Sequence, residues 1–222
     1  RRWLDDAEKS GQRFVNPPPL MRWNMNKKYL CDLAAWGADV IPSVFVPPEN
    51  QAVQNILRER GWQEAVIKPA VGQSGRAVAR ITAASPPPPD WRAYPQGVIV
   101  QPYIREIEQA GETSLIFFNG TFSHAVLRRP PQGEWRANSA YGVEIRPVAP
   151  SETVVRTACR VLDLLPQMPV YARVDGTIIG GRLLLNELEL IEPALYLHTA
   201  QGAAERLAAV LVSLLFSVPP QE

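Results

Sequence analysis

The sequence predicts an α+β fold built from antiparallel hairpins and short amphipathic helices. Three observations support this reading. Asn119-Gly120 and Gly180-Gly181 each separate two runs of alternating and β-branched residues, the signature of a β-hairpin. Stretches with apolar residues at helical spacing, over 21–36, 49–60 and 152–165, stand between the strand-like runs. At 222 residues and 46% apolar, the chain can bury one large core or divide into two small lobes.

Composition narrows the function classes. The net charge of +1 gives no bulk attraction to nucleic acid or acidic lipid, so neither is expected as a partner. No apolar run is long enough to span a bilayer, the nearest being Leu207 to Phe216, and no secretory signal is read at the start. Cys31 and Cys159 lack metal-type spacing and read as buried thiols of a reduced, cytoplasmic protein. The 22 prolines cluster at 17–19, 47–48, 86–89 and 130–131, which marks loops between elements.

Residues 1–15 carry little signal, and Asn16-Pro17 opens a loop. One helix is predicted over Met21 to Trp36, where Trp23, Lys27, Leu30, Leu33 and Ala34 recur at helical spacing and Gly37 supplies the stop. Lys27 and Lys28 ride on its middle. Val40 to Val46 reads as a strand, Glu49 to Arg60 as a helix ended by Gly61, and Glu64 to Pro69 as a strand running into the loop Ala70 to Arg76. Gly72, Ser74 and Gly75 let that loop fold backbone N–H groups over an anion, which Lys68 could also meet. A plain flexible hairpin loop is the other reading, and no Gly-Lys-Ser/Thr of a Walker A motif is present.

A strand resumes at Ala77 to Ile81. Gly97 to Ile104 reads as a buried strand, Arg105 to Ala110 as an irregular acidic connector, and Thr113 to Phe118 with Thr121 to Arg129 as the first hairpin. Its terminal Arg128 and Arg129 are either a solvated strand end or a guanidinium clamp on phosphate or carboxylate. A loop broken by glycine and proline, holding Arg136 and Asn138, follows. Ser151 is placed to cap a helix over Glu152 to Leu165 with Val155, Ala158, Cys159 and Leu162 on its apolar face. A helix over Thr199 to Ser217 closes the chain, with His198 as its cap and His124 a structural strand residue.

The second hairpin, Val170 to Ile179 and Leu183 to Ile191, carries the chemistry. Arg173 and Asp175 share a strand face, as do Glu187 and Glu189. A two-residue turn at Gly180-Gly181 puts Asp175 opposite Asn186 and points the glutamates away. A three-residue turn, Gly180-Gly181-Arg182, puts Asp175 opposite Glu187 and Arg173 opposite Glu189, and this register is the one expected. Three carboxylates so gathered repel unless a cation lies between them, and a hard divalent metal such as Mg²⁺ suits oxygen ligands. A solvated acidic face is the alternative.

The order of these pieces resembles the ATP-grasp superfamily, and within it the glutathione-synthetase-like carboxylate–amine ligases. The order runs from Lys27 and Lys28 through Lys68, the small-residue loop, the strand with Gln101, Pro102, Tyr103 and Ile104 and the arginine-ended hairpin to Arg173, Asp175, Glu187 and Glu189. The stretch RWNMNKKYLCDLAAWGADVIPS also looks like the ligases of cycloserine biosynthesis. The resemblance covers Met21 to Leu197. It implies an ATP-grasp fold, with nucleotide between two α+β lobes. Residues 1–20 would be a remnant of, or linker from, an upstream domain, 21–100 the small lobe with its lead-in helix, and 101–222 the large lobe with the metal-binding hairpin.

By the same resemblance, Lys68, Gly72, Ser74 and Gly75 would hold the phosphates of ATP, joined by Lys27 or Lys28. Gln101, Pro102, Tyr103 and Ile104 would border the adenine, and Glu108 or Glu112 would take the ribose hydroxyls. Asp175, Glu187 and Glu189 would hold Mg²⁺, or Mn²⁺ in its place, while Arg129 and Arg173 would face the transferred phosphoryl group and the acyl phosphate. The pair Glu187-Leu188-Glu189 departs from the Glu-x-Asn common in the family.

The activity so implied is ATP-dependent joining of a small carboxylic acid to an amine through an acyl phosphate, releasing ADP and phosphate, by a cytoplasmic enzyme that could form a homo-oligomer. Such a transfer needs charge neutralisation and alignment more than a protein nucleophile. The residues agree, since no Ser-His-Asp order or thiolate site is evident. Two alternatives are phosphotransfer on the same scaffold, which needs a reactive histidine, and a non-catalytic ATP-binding regulatory module. Arg173 beside three carboxylates argues against the second.

Overall fold

The computed structural model describes residues 2–84 and 90–216, so the proline run 86–89 lies outside the described residues. Up to residue 102 the elements are α1 (Arg2–Lys9), α2 (Pro18–Asn24), α3 (Tyr29–Ala35), β1 (Val44–Val46), α4 (Asn50–Arg60), β2 (Glu64–Pro69), β3 (Ala79–Thr82) and β4 (Val98–Pro102). Beyond it come α5 (Arg105–Ala110), β5 (Glu112–Phe118), β6 (Thr121–Arg129), β7 (Glu144–Val148), α6 (Glu152–Asp163), β8 (Tyr171–Ile179), β9 (Arg182–Glu189) and α7 (Ala203–Phe216). The strands form two antiparallel sheets, a small one in the order β1-β4-β2-β3 and a large one in the order β7-β6-β5-β8-β9. The α+β class expected from the sequence is thus what forms.

Each sheet has its own core. Val53 and Leu57 of α4 bury against Val46, Ile67, Val98 and Val100 of the small sheet. Leu115, Phe117, Ala172, Val174 and Leu188 of the large sheet bury against Val154, Ala158 and Leu162 of α6, and Leu20, Leu30 and Leu33 join them from α2 and α3. On the opposite face of the large sheet, Ile116, Phe118 and Val126 meet Leu207 and Val210 of α7. That coverage stops partway along the strands, and polar side chains occupy the rest of the face.

Several elements differ from the sequence expectation. The helix expected over 21–36 is two, because Met25 to Lys28 leave the helical path: Asn26 Oδ1 accepts from Lys28 N–H at 2.9 Å, and Lys27 N–H donates to Ala70 O at 2.7 Å. Both pieces pack on the large sheet, although sequence order counted the segment with the small one. The strand expected over 40–46 divides likewise. Val40 bridges Leu185 of the large sheet, and only 44–46 enters the small sheet. Arg105 to Ala110 is a helix, and β7 emerges from a stretch read as loop. Gly61 closes α4 in the left-handed conformation, as its position predicts.

The outer edge of β9 is filled without a further strand. Leu185 N–H donates to Asp39 O and Leu185 O accepts from Ile41 N–H, both at 2.8 Å. Beyond them, Leu188 N–H donates to the Tyr29 hydroxyl, Asn24 bonds Leu188 O and Leu190 N–H, and Asn16 Nδ2 donates to Leu190 O at 2.7 Å.

Candidate active site

A cleft of about 740 Å³ lies where the two sheets approach, lined by residues of both. Its lining includes Lys27, Lys68, Gly72, Ser74, Gly75, Gln101, Pro102, Tyr103, Ile104, Glu112, Arg173, Glu187 and Glu189, so most of the residues singled out in sequence meet there. Lys28, Glu108, Arg129 and Asp175 do not line it, Asp175 being buried behind the wall that Arg128 and Arg173 form.

The register of β8 and β9 governs one wall. Asp175 lies opposite Glu187 and Arg173 opposite Glu189, the pairing expected from sequence, but the turn is not the one expected. Ile179 pairs with Arg182, so Gly180-Gly181 is a two-residue turn, with φ of 57° and 76°. Parity is restored by a bulge between Asp175 and Gly176, which leaves Asn186 as the extra residue on β9. Gly176 permits this, since a Cβ there would collide with the Leu184 carbonyl oxygen.

The first hairpin supplies an arginine, and it is Arg128, not Arg129. Glu112 pairs with Arg128, which turns the Arg128 side chain to the cleft face and Arg129 to the other, where its Nη2 donates to Gln109 O at 3.1 Å. Arg128, 3% exposed, meets Glu112 at 2.6 Å and Asp175 at 2.9 Å, and its Nε has no hydrogen-bond partner. Arg173 donates from Nε and Nη2 to Asp175 at 2.9 Å, and it also pairs with Glu189. Glu112 lines the cleft, with one oxygen bonded to Arg128 and the other to Asn186 Nδ2.

A cation is what the sequence expectation places among the three carboxylates Asp175, Glu187 and Glu189. The protein's own cations lie among them, and among the described residues no group of three or more acidic, histidine or cysteine side chains is gathered to hold a metal. Burial pushes the Asp175 carboxyl up, but Arg128 and Arg173 hold it below the ordinary carboxylate range. For Glu187, burial is likewise outweighed by Lys27, 2.6 Å away, and Lys68. Glu189 is the exception. Burial, with Glu187 as a like charge beside it, pushes its carboxyl up to about 8.

The facing wall is made by β2, β4 and the loop after β2. Lys68 Nζ donates to Asn186 Oδ1 at 2.7 Å, and burial lowers the pKa of its ammonium. Lys27, freed by the break between α2 and α3, also donates to Gly72 O at 2.9 Å, whereas Lys28 lies over the Phe45 ring outside the cleft. Ser74, Gly75 and Ala77 all take positive φ, which folds the loop tightly. The Tyr141 hydroxyl donates to Gly75 O at 3.1 Å, and the Arg136 guanidinium lies 3.6 Å from the Tyr141 ring centre. Glu108 stands at the rim and accepts from the hydroxyl of Tyr103, which lines the cleft.

Sequence reasoning missed Arg128 as the inward arginine, Asn186 as a bridge between walls, and Tyr141 over the glycine loop. Only a bulge, which turn chemistry does not announce, selects the first two.

Comparison with known proteins is consistent with this architecture. The family model described as the prokaryotic glutathione synthetase ATP-grasp domain matches residues 32–194. The cycloserine biosynthesis protein DcsG of Streptomyces lavendulae is 33% identical over 91% of this chain and 74% of its own length. A glutathione synthetase of Parasynechococcus marenigrum is 27% identical over 86% of this chain, which spans 60% of that protein. The crystal structure of D-cycloserine synthetase DcsG superposes with a TM-score of 0.81 at 30% identity, covering 96% of this chain and 78% of that one.

Proposed function

The chain belongs to the ATP-grasp domain family of the prokaryotic glutathione synthetases, and we propose that it joins a carboxylate to an amine with ATP as the activating substrate. The observation that carries this reading is the pairing, across one cleft, of a wall of lysines and small-residue loop with a wall of arginines and carboxylates. The first wall suits nucleotide phosphates; the second suits a reacting carboxylate and the charge that moves with a phosphoryl group.

In the proposed reaction a carboxylate oxygen of the acid attacks the γ-phosphorus, the bond to the bridging oxygen breaks, and ADP leaves. The amine nitrogen then attacks the acyl carbon, the C–O bond to phosphate breaks, and the nitrogen gives up a proton. Lys27, Lys68 and the loop holding Gly72, Ser74 and Gly75 bind and orient the phosphates. Gln101, Pro102, Tyr103 and Ile104 border the adenine, and Glu108, beside Tyr103, or Glu112, in the cleft wall, serves the ribose. Arg173 and Arg128 face the transferred group, and the unpartnered Arg128 Nε supports a contact with an anion.

The hard oxygens of Asp175, Glu187 and Glu189 suit Mg²⁺, or Mn²⁺ in its place, and a cation would relieve the raised Glu189 carboxyl. When bound, it neutralises phosphate oxygens. We further propose a small lobe on the small sheet and a large lobe on the large sheet, small-molecule acid and amine substrates, a cytoplasmic location and an optional homo-oligomer. The free thiols Cys31 and Cys159 support the location; among the described residues no helix is long and apolar enough to cross a membrane.

The test is ADP release with Mg-ATP across a panel of acids and amines. Turnover that requires one of each supports ligation, and Asp175→Asn and Glu187→Gln should abolish it. Nucleotide binding with no turnover for any pair would instead favour a binding module.

A further inference from the structure

We infer that Asn186 is a positioning residue for Lys68, a neutral spacer that holds the lysine in the cleft while leaving its charge free for phosphate. The inference rests on reading the cleft as a nucleotide site. Asn186 is the residue that the β8–β9 bulge leaves without a cross-strand partner. Its amide spans the two walls, accepting from Lys68 Nζ at 2.7 Å through Oδ1 and donating to Glu112 Oε1 at 2.5 Å through Nδ2. The direction is fixed by chemistry, because the Lys68 ammonium has donors only and must be met by the amide oxygen.

A neutral acceptor at this point has a specific consequence. Among the described residues, the Lys68 ammonium makes one hydrogen bond, to Asn186, and no ion pair. Glu187 and Glu112 are close enough for their charges to offset part of the burial effect on Lys68, yet neither is its partner. An ammonium has three donors, so two remain for phosphate oxygens. A carboxylate in place of the amide would take the same single donor but neutralise the lysine's charge and set a like charge beside the incoming phosphate. The same bulge that sets Glu187 opposite Asp175 thus gives β9 a residue for this second purpose.

Asn186→Asp keeps the size and adds the competing charge. Binding of a non-hydrolysable ATP analogue with Mg²⁺, measured by calorimetry, should weaken roughly 10- to 100-fold, the range of one charged hydrogen bond. The loss should shrink to about twofold in a Lys68→Met background, since the effect acts through Lys68. A role only in folding predicts a loss that persists there, and that result would overturn the inference, as would Asn186→Asp binding within twofold of the unsubstituted chain. If the aspartate variant does not melt cooperatively, Asn186→Leu in the same two backgrounds carries the test: a loss beyond twofold that Lys68→Met removes supports the role, and any other pattern overturns it. Failure of the unsubstituted chain to bind the analogue removes the nucleotide reading itself, and with it this inference; binding there without turnover leaves the inference standing and removes only ligation.

Discussion

Two hairpins of the large sheet turn in the same way and differ in what their irregularities do. Asn119-Gly120 and Gly180-Gly181 are both two-residue turns with positive φ at each residue. Each hairpin then slips register once. In the first, Phe117 faces Phe122 but Ile116 faces His124, leaving Ser123 over; in the second, Gly176 faces Leu185 but Asp175 faces Glu187, leaving Asn186 over. Without the slips, Glu112 would face Leu127 and Asp175 would face Asn186. Ser123 sits near its turn and accepts from Arg206 of α7 at 3.0 Å, so its bulge anchors a helix. Asn186 sits in the cleft. Turn chemistry fixes the near ends of the strands, and the bulge decides which residues the far ends present.

The comparison breaks most severely at Gly176. Gly176→Val forces a side chain onto the Leu184 carbonyl and should cost about 3 kcal/mol or more, read as a lower urea midpoint, with turnover lost. An unchanged midpoint and rate would mean that the second bulge does not depend on glycine.

Next comes the first hairpin's choice of arginine. Arg128→Met removes the buried cation shared by Glu112 and Asp175, leaving Glu112 with only the Asn186 amide, and should cost about 3 kcal/mol, with turnover reduced at least about 100-fold. Arg129→Met, on the outer face, should stay within about 0.5 kcal/mol and about twofold in rate. Equal effects of the two substitutions would contradict the register slip at Ser123.

A smaller effect is set by pH. Folding raises the Glu189 carboxyl from its ordinary 4.5 to about 8, through burial and the neighbouring Glu187, so the folded state holds that proton more tightly than the unfolded one. In chelator, stability should therefore fall as pH climbs from about 4.5 through about 8. Glu189→Gln should melt higher relative to the unsubstituted protein at pH 9 than at pH 5. A difference that does not change with pH would remove the like-charge account. The smallest effect belongs to the turns. Gly180→Asn makes the second turn a copy of the first and should shift stability by no more than about 0.5 kcal/mol, with turnover intact.

Much of the fold could be read from local chemistry. Both hairpins, α4 with its Gly61 stop, β2 and α6 with its Ser151 cap follow from turn residues, periodicity and capping, all properties of neighbours in the chain. What escaped depends on partners far away in sequence. The Asn26 side chain on Lys28 N–H is a local part of the break after α2, but its other part is the distant Ala70 carbonyl, which accepts from Lys27 N–H, and Lys27 reaches the cleft because of it. The Glu187 register was expected for the wrong reason, an odd-length turn in place of a bulge. In the first hairpin the same blindness favoured Arg129 over Arg128. The choice of residue types, lysines, arginines and carboxylates in that order, was plain, and which of two neighbours faced inward was not.

The filled edge of β9 has a consequence for the fate of the chain. An exposed strand edge is a template onto which another chain can add. Here the row of unpaired groups is answered by Asp39, Ile41, Tyr29, Asn24 and Asn16, which act together as a sixth strand assembled from loops and side-chain amides. Deleting residues 1–43 would therefore do more than remove a lead-in. It would leave the strand that carries Glu187 and Glu189 as an open zipper, and self-association through that edge would follow before any question of catalysis arose.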